Sequence, residues 1–147
     1  MLTILHTEAS PGWGGQEIRI LSEASAFAKR GFRLLIACQP ESRLALEAQR
    51  RGLSARRVAM RSVFDVSACW RLRQLMRAEK VDIVHTHSSI DAWLAGFAAK
   101  SLRLPVVRSR HVSIPVKRRR NFVYNALSDR VSARQARIAS CSCPRFQ

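Results

Sequence analysis

Apolar and polar positions along most of this chain alternate between two periods. A short apolar run at about Leu2–His6 predicts a first strand. From about Glu17 to Arg30 the period lengthens to that of a helix. Ile18, Leu21, Ala24 and Ala28, with Ile20 and Phe27 beside them, fall on one broad face. Lys29 and Arg30 stand in its last turn, and Gly31 supplies a stop. Arg33–Cys38 is almost continuously apolar, the pattern of a strand covered on both faces. A second helix is expected at about Ser42–Arg51, ending at Gly52, and a shorter strand near Ala55–Ala59. Asp65 is placed to cap a third helix carrying Val66, Cys69, Trp70 and Met76. Val81–His85 reads as a strand. The helix at about Ile90–Ser101 presents Ile90, Trp93, Leu94, Phe97 and Ala98, with small Ala95, Gly96 and Ala99 permitting close packing on a sheet. Pro105 opens another strand, Val106–Ser109, and Lys117–Leu127 a last helix.

Repeated strand–helix–strand units imply right-handed crossovers. The fold class is therefore α/β: a Rossmann-like parallel sheet of five or six strands with helices on both faces. The alternation fails near Arg130. From Val131 to Gln147 neither period is clear, so either Val131–Ala139 pairs weakly or the tail is foreign to the fold. At 147 residues this is one domain, long enough to bury roughly 70% of its unfolded surface. There is no internal repeat, no apolar run of about 18 residues to span a membrane, and no leader of signal-peptide type.

Charge changes the picture. Twenty-six Lys and Arg against 10 Asp and Glu leave a formal charge of +16. From Ala92 onward the only acid is Asp129, while Lys100–Arg145 holds 12 basic residues. Such a field attracts nucleic acid, anionic lipid or phosphorylated substrates, although well-solvated surfaces would give the same count. Lys117-Arg118-Arg119-Arg120, beside Phe122, Val123 and Tyr124, could dock on anionic lipid or simply begin a solvated helix. Cys38, Cys69, Cys141 and Cys143 lack the spacing of a disulfide framework or a zinc site, which favours a reduced, cytosolic setting.

Ligands of open parallel sheets bind outside the carboxyl ends of the strands. Three segments fall on that edge: Gly12-Trp13-Gly14-Gly15-Gln16-Glu17, His85-Thr86-His87-Ser88-Ser89, and Arg108-Ser109-Arg110-His111. A glycine turn that opens a helix offers bare N–H groups at the positive end of the helix dipole and suits a phosphate. Its spacing is not the dinucleotide fingerprint, and a plain tight turn would look the same. His85 closes an apolar strand and reads as a semi-buried structural histidine. His87 and Ser88 could cap the next helix. His85 and His87 could share a metal, but no third ligand stands at a supporting spacing, so none is expected. His111 is explained less well by packing and is the preferred catalytic or substrate-contacting residue. Arg110 beside it could pair with phosphate or carboxylate.

The ordered set Ile4-Leu5-His6, Gly14-Gly15-Gln16-Glu17, Val81-Asp82-Ile83-Val84-His85-Thr86-His87 and Leu104-Pro105-Val106-Val107-Arg108-Ser109-Arg110-His111 resembles the N-terminal half of retaining, family-4-type glycosyltransferases of the GT-B fold. The resemblance covers about Met1–Arg130. It implies an acceptor-side domain at residues 1–130, with 131–147 an irregular tail. It further implies that Gly14, Gly15 and Gln16 lie by the donor phosphates. His111 would match the family's active-site histidine, with His87 and Arg110 nearby. A nucleotide sugar would be a substrate and no cofactor is implied. The family's second, donor-binding domain is absent from these residues, so the chain is expected to be truncated, or its second half supplied separately, and inactive alone.

Many such enzymes build lipopolysaccharide, capsule or glycolipid. The expected partners are therefore a glycolipid or saccharide acceptor and an anionic membrane surface. The expected location is the cytoplasm, peripheral on the inner face of its membrane. The rival is a non-catalytic basic module binding nucleic acid or anionic lipid, although no helix-turn-helix, zinc-finger or RNA-binding aromatic motif is present and no specific nucleic acid is expected.

Overall fold

The computed structural model describes residues 1–110, Leu127 and 129–133, with the side chains of Arg110 and 130–133 left out. In chain order the elements are β1 (Thr3–Glu8), α1 (Gly15–Lys29), β2 (Arg33–Cys38), α2 (Arg43–Arg50), β3 (Ser54–Arg57), α3 (Val66–Ala78), β4 (Ile83–Thr86), α4 (Ser89–Ser101), β5 (Val106–Arg110) and β6 (Arg130–Ala133). They form one sheet in the order β3-β2-β1-β4-β5-β6, and every described pair is parallel. The order turns back between β1 and β4, which share the register Ile4↔Ile83 to Thr7↔Thr86.

Each helix begins where a polar group can take its first N–H groups. The Glu17 carboxylate reaches back to the Gly14 N–H at 2.8 Å. Ser42 Oγ accepts from the Leu44 N–H, and Asp65 Oδ1 accepts from the Ala68 N–H at 2.9 Å, so Asp65 is the cap its position predicted. After α1, Gly31 takes a left-handed conformation (φ +85°), which glycine adopts without steric cost.

β1, β2 and β4 are buried on both faces, whereas the edge strand β3 is largely exposed. Ile4, Leu34 and Ile36 pack with Ile20, Leu21 and Ala24 of α1 and Leu44 and Ala48 of α2. On the other face Leu5, Leu35, Val84 and Val106 pack with Leu72 and Met76 of α3 and Leu94 and Ala98 of α4. Gly96 lets α4 approach closely, since a Cβ there would lie 3.2 Å from the Leu127 Cβ.

The periodicity misassigned some faces. The buried row of α3 is Ala68, Leu72 and Met76, while Val66 and Trp70 are 79% and 60% exposed. Four-residue spacing from Ala68 keeps one row on the sheet, and Val66 and Trp70 fall outside it. Ile18 is likewise about half exposed. The sheet also continues beyond the point where alternation fails. Asp129 ties the entry of β6 to the start of β5: its N–H donates to the Val106 carbonyl (2.8 Å), and its Oδ2 accepts from the Val106 N–H (2.7 Å). Lys100 Nζ donates to Oδ1 at 2.6 Å. Arg130–Ala133 then pairs with Val107–Arg110 as the sixth strand. The expected helix at Lys117–Leu127 lies outside the described residues, Leu127 apart.

Candidate functional site

The reversal of strand order leaves a crevice where the chain leaves β1 and β4 in opposite directions, the usual ligand position in such sheets. Its walls are the Ala9–Gly14 loop and the His87-Ser88 turn. Gln39, just past β2, pins the loop: its Nε2 donates to the carbonyls of Ala9 (3.1 Å) and Met60 (2.6 Å).

Alternation along the strands puts three imidazoles together. His6 sits opposite His85 in the β1–β4 register, and His87 follows two residues later. All three are buried, with ring centroids 4.9 Å (His6–His85), 5.3 Å (His6–His87) and 4.2 Å (His85–His87) apart. His6 Nδ1 and His87 Nε2 share a hydrogen bond of 3.0 Å, with one ring donating and the other accepting. His85 Nε2 is 2.7 Å from Ser109 Oγ, and its Nδ1 lies 3.7 Å from Glu23 Oε1 on α1. Burial, and next the charge of a protonated His85, holds His6 down at about 3, so its ring is neutral at neutral pH. The expectation for His85 as a packed strand-end residue holds for its burial and its bond to Ser109.

Carboxylates line the same crevice. Glu8, the last residue of β1, is fully buried. Its Oε1 accepts from the Ser10 N–H at 2.8 Å, and its Oε2 accepts from Gln16 Nε2. Burial first, and then the nearby Asp91 carboxylate, raises its carboxyl to about 7. Asp91, fully buried on α4, accepts from Thr7 Oγ1 (2.7 Å), the His87 N–H (2.9 Å), the Ser88 N–H (2.7 Å) and Ser88 Oγ (2.5 Å). Burial raises its pKa against those four bonds. Asp91 thus locks the turn that carries His87 to the end of β1.

The glycine turn closes the third side. Gly14 is extended, a conformation any residue adopts, and a Cβ there would make only ordinary contact, 3.7 Å from Glu17 Oε2. At Gly15 a Cβ would meet nothing within 4 Å. The fold itself has no need of glycine at these two positions, so the bare backbone is available to a ligand. Trp13 flanks the turn, with the Arg43 guanidinium 4.9 Å above its ring. Glu8 and Asp91 bring two carboxyl groups to this part of a strongly basic chain, both fully buried and already hydrogen-bonded.

Of the predicted site residues, Gly14, Gly15, Gln16 and His87 come together here. Arg110 ends β5, paired with Ala133, so its backbone lies two strands' width away. His111 and the basic run Lys117, Arg118, Arg119 and Arg120 lie outside the described residues. Sequence reading missed His6, Glu8, Glu23 and Asp91. Ser88-x-x-Asp91 is a capping signal that could have exposed Asp91. Nothing local marks His6, because the β1–β4 register alone brings it to His85.

This architecture, a doubly wound parallel sheet with its polar crevice at the strand-order reversal, is a Rossmann-like α/β fold. The Glycosyltransferase Family 4 model matches residues 13–145, and the chain belongs to that family. Similar solved structures include MurG of Acinetobacter baumannii (TM-score 0.75, 16% identity, covering 97% of this chain and 44% of that one). A glycosyltransferase of Rickettsia africae ESF-5 is similar at TM-score 0.71 and 20% identity, over 90% of this chain and 36% of that one. HepE of Anabaena in complex with UDP is similar at 0.68 and 13%, over 89% and 37%. The likeness is one of fold, and the chain spans less than half the length of each. No curated protein matches it.

Proposed function

We propose that this chain is the acceptor-side domain of a nucleotide-sugar-dependent glycosyltransferase acting in cell-envelope polysaccharide or lipopolysaccharide synthesis. The observation that carries this reading is the crevice itself: buried carboxylates and imidazoles face a glycine turn whose open backbone the fold does not require. The polar crevice suits a saccharide, and the Gly14-Gly15 backbone suits the diphosphate of a donor. HepE's complex with UDP supports a nucleotide-linked donor. His111 keeps its proposed place beside the reacting sugar. Stabilising the leaving diphosphate takes groups from a donor-binding domain, so these 147 residues alone are proposed to be inactive.

A membrane-borne acceptor fits a second feature. Phe64, Val66 and Trp70 are 88%, 79% and 60% exposed where α3 begins, beside exposed Arg61, Arg71 and Arg77. Among the described residues no helix is long and apolar enough to cross a membrane. We read this patch, together with Lys117–Arg120, as a peripheral contact with anionic lipid.

The test is a chimera with the donor-binding domain of a family-4 relative. The chain alone should transfer no sugar, and the chimera should. In the chimera, Gly15→Val should lower kcat/KM at least tenfold at nearly unchanged thermal stability, and His111→Ala should cut turnover by roughly 10²-fold. Transfer by the chain alone would overturn the half-enzyme reading. A chimera indifferent to both changes would overturn the site.

A further inference from the structure

The geometry points to Glu8 as a positioning residue: through the side-chain amide of Gln16, it sets whether the first turn of α1 offers a diphosphate a hydrogen-bond donor or an acceptor. This role rests on the reading of the glycine turn as a diphosphate site. Glu8 ends β1 and is fully buried, so it acts on a ligand only through a neighbour. Its Oε1 accepts from the Ser10 N–H at 2.8 Å, and its Oε2 accepts from Gln16 Nε2. Gln16 is half-buried on the first turn of α1, next to Gly15, where a Cβ would meet nothing within 4 Å. One amide therefore joins a sealed carboxyl to an open stretch of backbone.

An amide has a donor end and an acceptor end, whereas a carboxylate only accepts. With Glu8 ionised, Gln16 turns its Nε2 inward, and its outer end is an oxygen that repels phosphate. A proton on Glu8 Oε2 makes that oxygen a donor. The amide then turns over so that Gln16 Oε1 accepts, and its outer end becomes an N–H donor. Glu8 Oε1 keeps the Ser10 N–H in both states, so one contact changes and one negative charge behind the turn disappears. The surroundings favour that proton. Asp91 on α4 and Glu17 on α1 bring like charge to Glu8, and burial followed by Asp91 raises it to about 7. Cys38 stands opposite on β2, its thiol under the charge of Arg57 on β3, and His6 two residues earlier is neutral at neutral pH. Diphosphate binding and proton uptake by Glu8 are thereby coupled.

The full chain would be titrated with UDP-glucose, a diphosphate diester of fixed charge in this range, at about pH 6 and about pH 8. If the protonated form binds, its population of about 0.9 and about 0.1 at these values should make Kd about tenfold weaker at the higher pH. Glu8→Gln is permanently neutral and can donate to Gln16 through its own amide. It should remove the pH dependence and bind about tenfold tighter than wild type at about pH 8, where loss of a purely structural Glu8 would weaken binding. Gln16→Leu should bind at about pH 6 as weakly as wild type does at about pH 8. In ligand-free NMR spectra the Gln16 side-chain NH₂ signals should shift with a midpoint near 7 and hold still in Glu8→Gln. Should Glu8→Gln fail to fold, Gln16→Leu and the wild-type Gln16 signals decide. Equal Kd at both pH values, Glu8→Gln no tighter than wild type at the higher one, or Gln16 signals indifferent to pH would each overturn the role of Glu8. No binding of UDP-glucose at either pH, with the Gln16 signals still titrating, would instead overturn the diphosphate reading of the turn.

Discussion

Asp91 shows how one side chain can organise a site it does not advertise. Its two oxygens accept four hydrogen bonds in a fully buried place, joining the end of β1 to the turn after β4. An asparagine of the same size offers one acceptor oxygen and a donor where only donors converge, stranding buried N–H groups. Asp91→Asn should therefore cost roughly 2–4 kcal/mol by urea unfolding. A loss under about 1 kcal/mol would mean that water or a shifted turn replaces those bonds. Gly14 and Gly15 differ in kind: no strain and no crowding requires them, so their meaning lies with whatever approaches the backbone.

Among the described elements, β6 shows a clear dependence on one group. Its entry hangs on Asp129, whose carboxyl the Lys100 ammonium and then the Val106 N–H hold below the ordinary carboxylate range. For an acid with a depressed folded pKa, the stabilisation is present above the unfolded value of 3.8 and is lost as pH falls through the lower folded value. Hydrogen exchange should accordingly show Arg130–Ala133 protected at pH 6 and released on acidification below about 4, before β1 or β2 opens. Asp129→Asn should release it already at pH 6. Protection that survives both would place the hold in the β5–β6 ladder alone.

At the scale of the molecule the chain carries an excess of 16 positive charges, a field that attracts anionic surfaces. At the start of α3 exposed apolar side chains and arginines share one patch. Sedimentation with vesicles should show binding to anionic but not neutral lipid at low salt, since each basic residue near such a surface contributes about 1 kcal/mol. Binding should weaken as salt shortens the Debye length to about 10 Å at 0.1 M. Phe64→Ser with Trp70→Ser should reduce it further. Equal binding to both vesicles would sink the lipid contact, and tighter binding to nucleic acid would favour a basic module instead.

Hydrophobic period and turn residues, which act within a few neighbours, determined the order of strands and helices from β1 to β5, the Asp65 cap and the glycine turn. For the same reason they carried the resemblance to family 4. Which face of α3 is buried depended on what the sheet offered to pack against, and periodicity alone put Trp70 on the wrong side. β6 was legible only as one of two alternatives, a weak pairing within Val131–Ala139 or a foreign tail, because its anchor, Asp129, acts through Val106 and Lys100, far away in sequence. The His6–His85–His87 cluster was illegible for a related reason. His85 and His87 are two residues apart, but His6 is 81 residues before His87 and reaches them only through parallel pairing of β1 with β4. Local order is written in local spacing, whereas a site built across a strand-order reversal exists only once the sheet has formed.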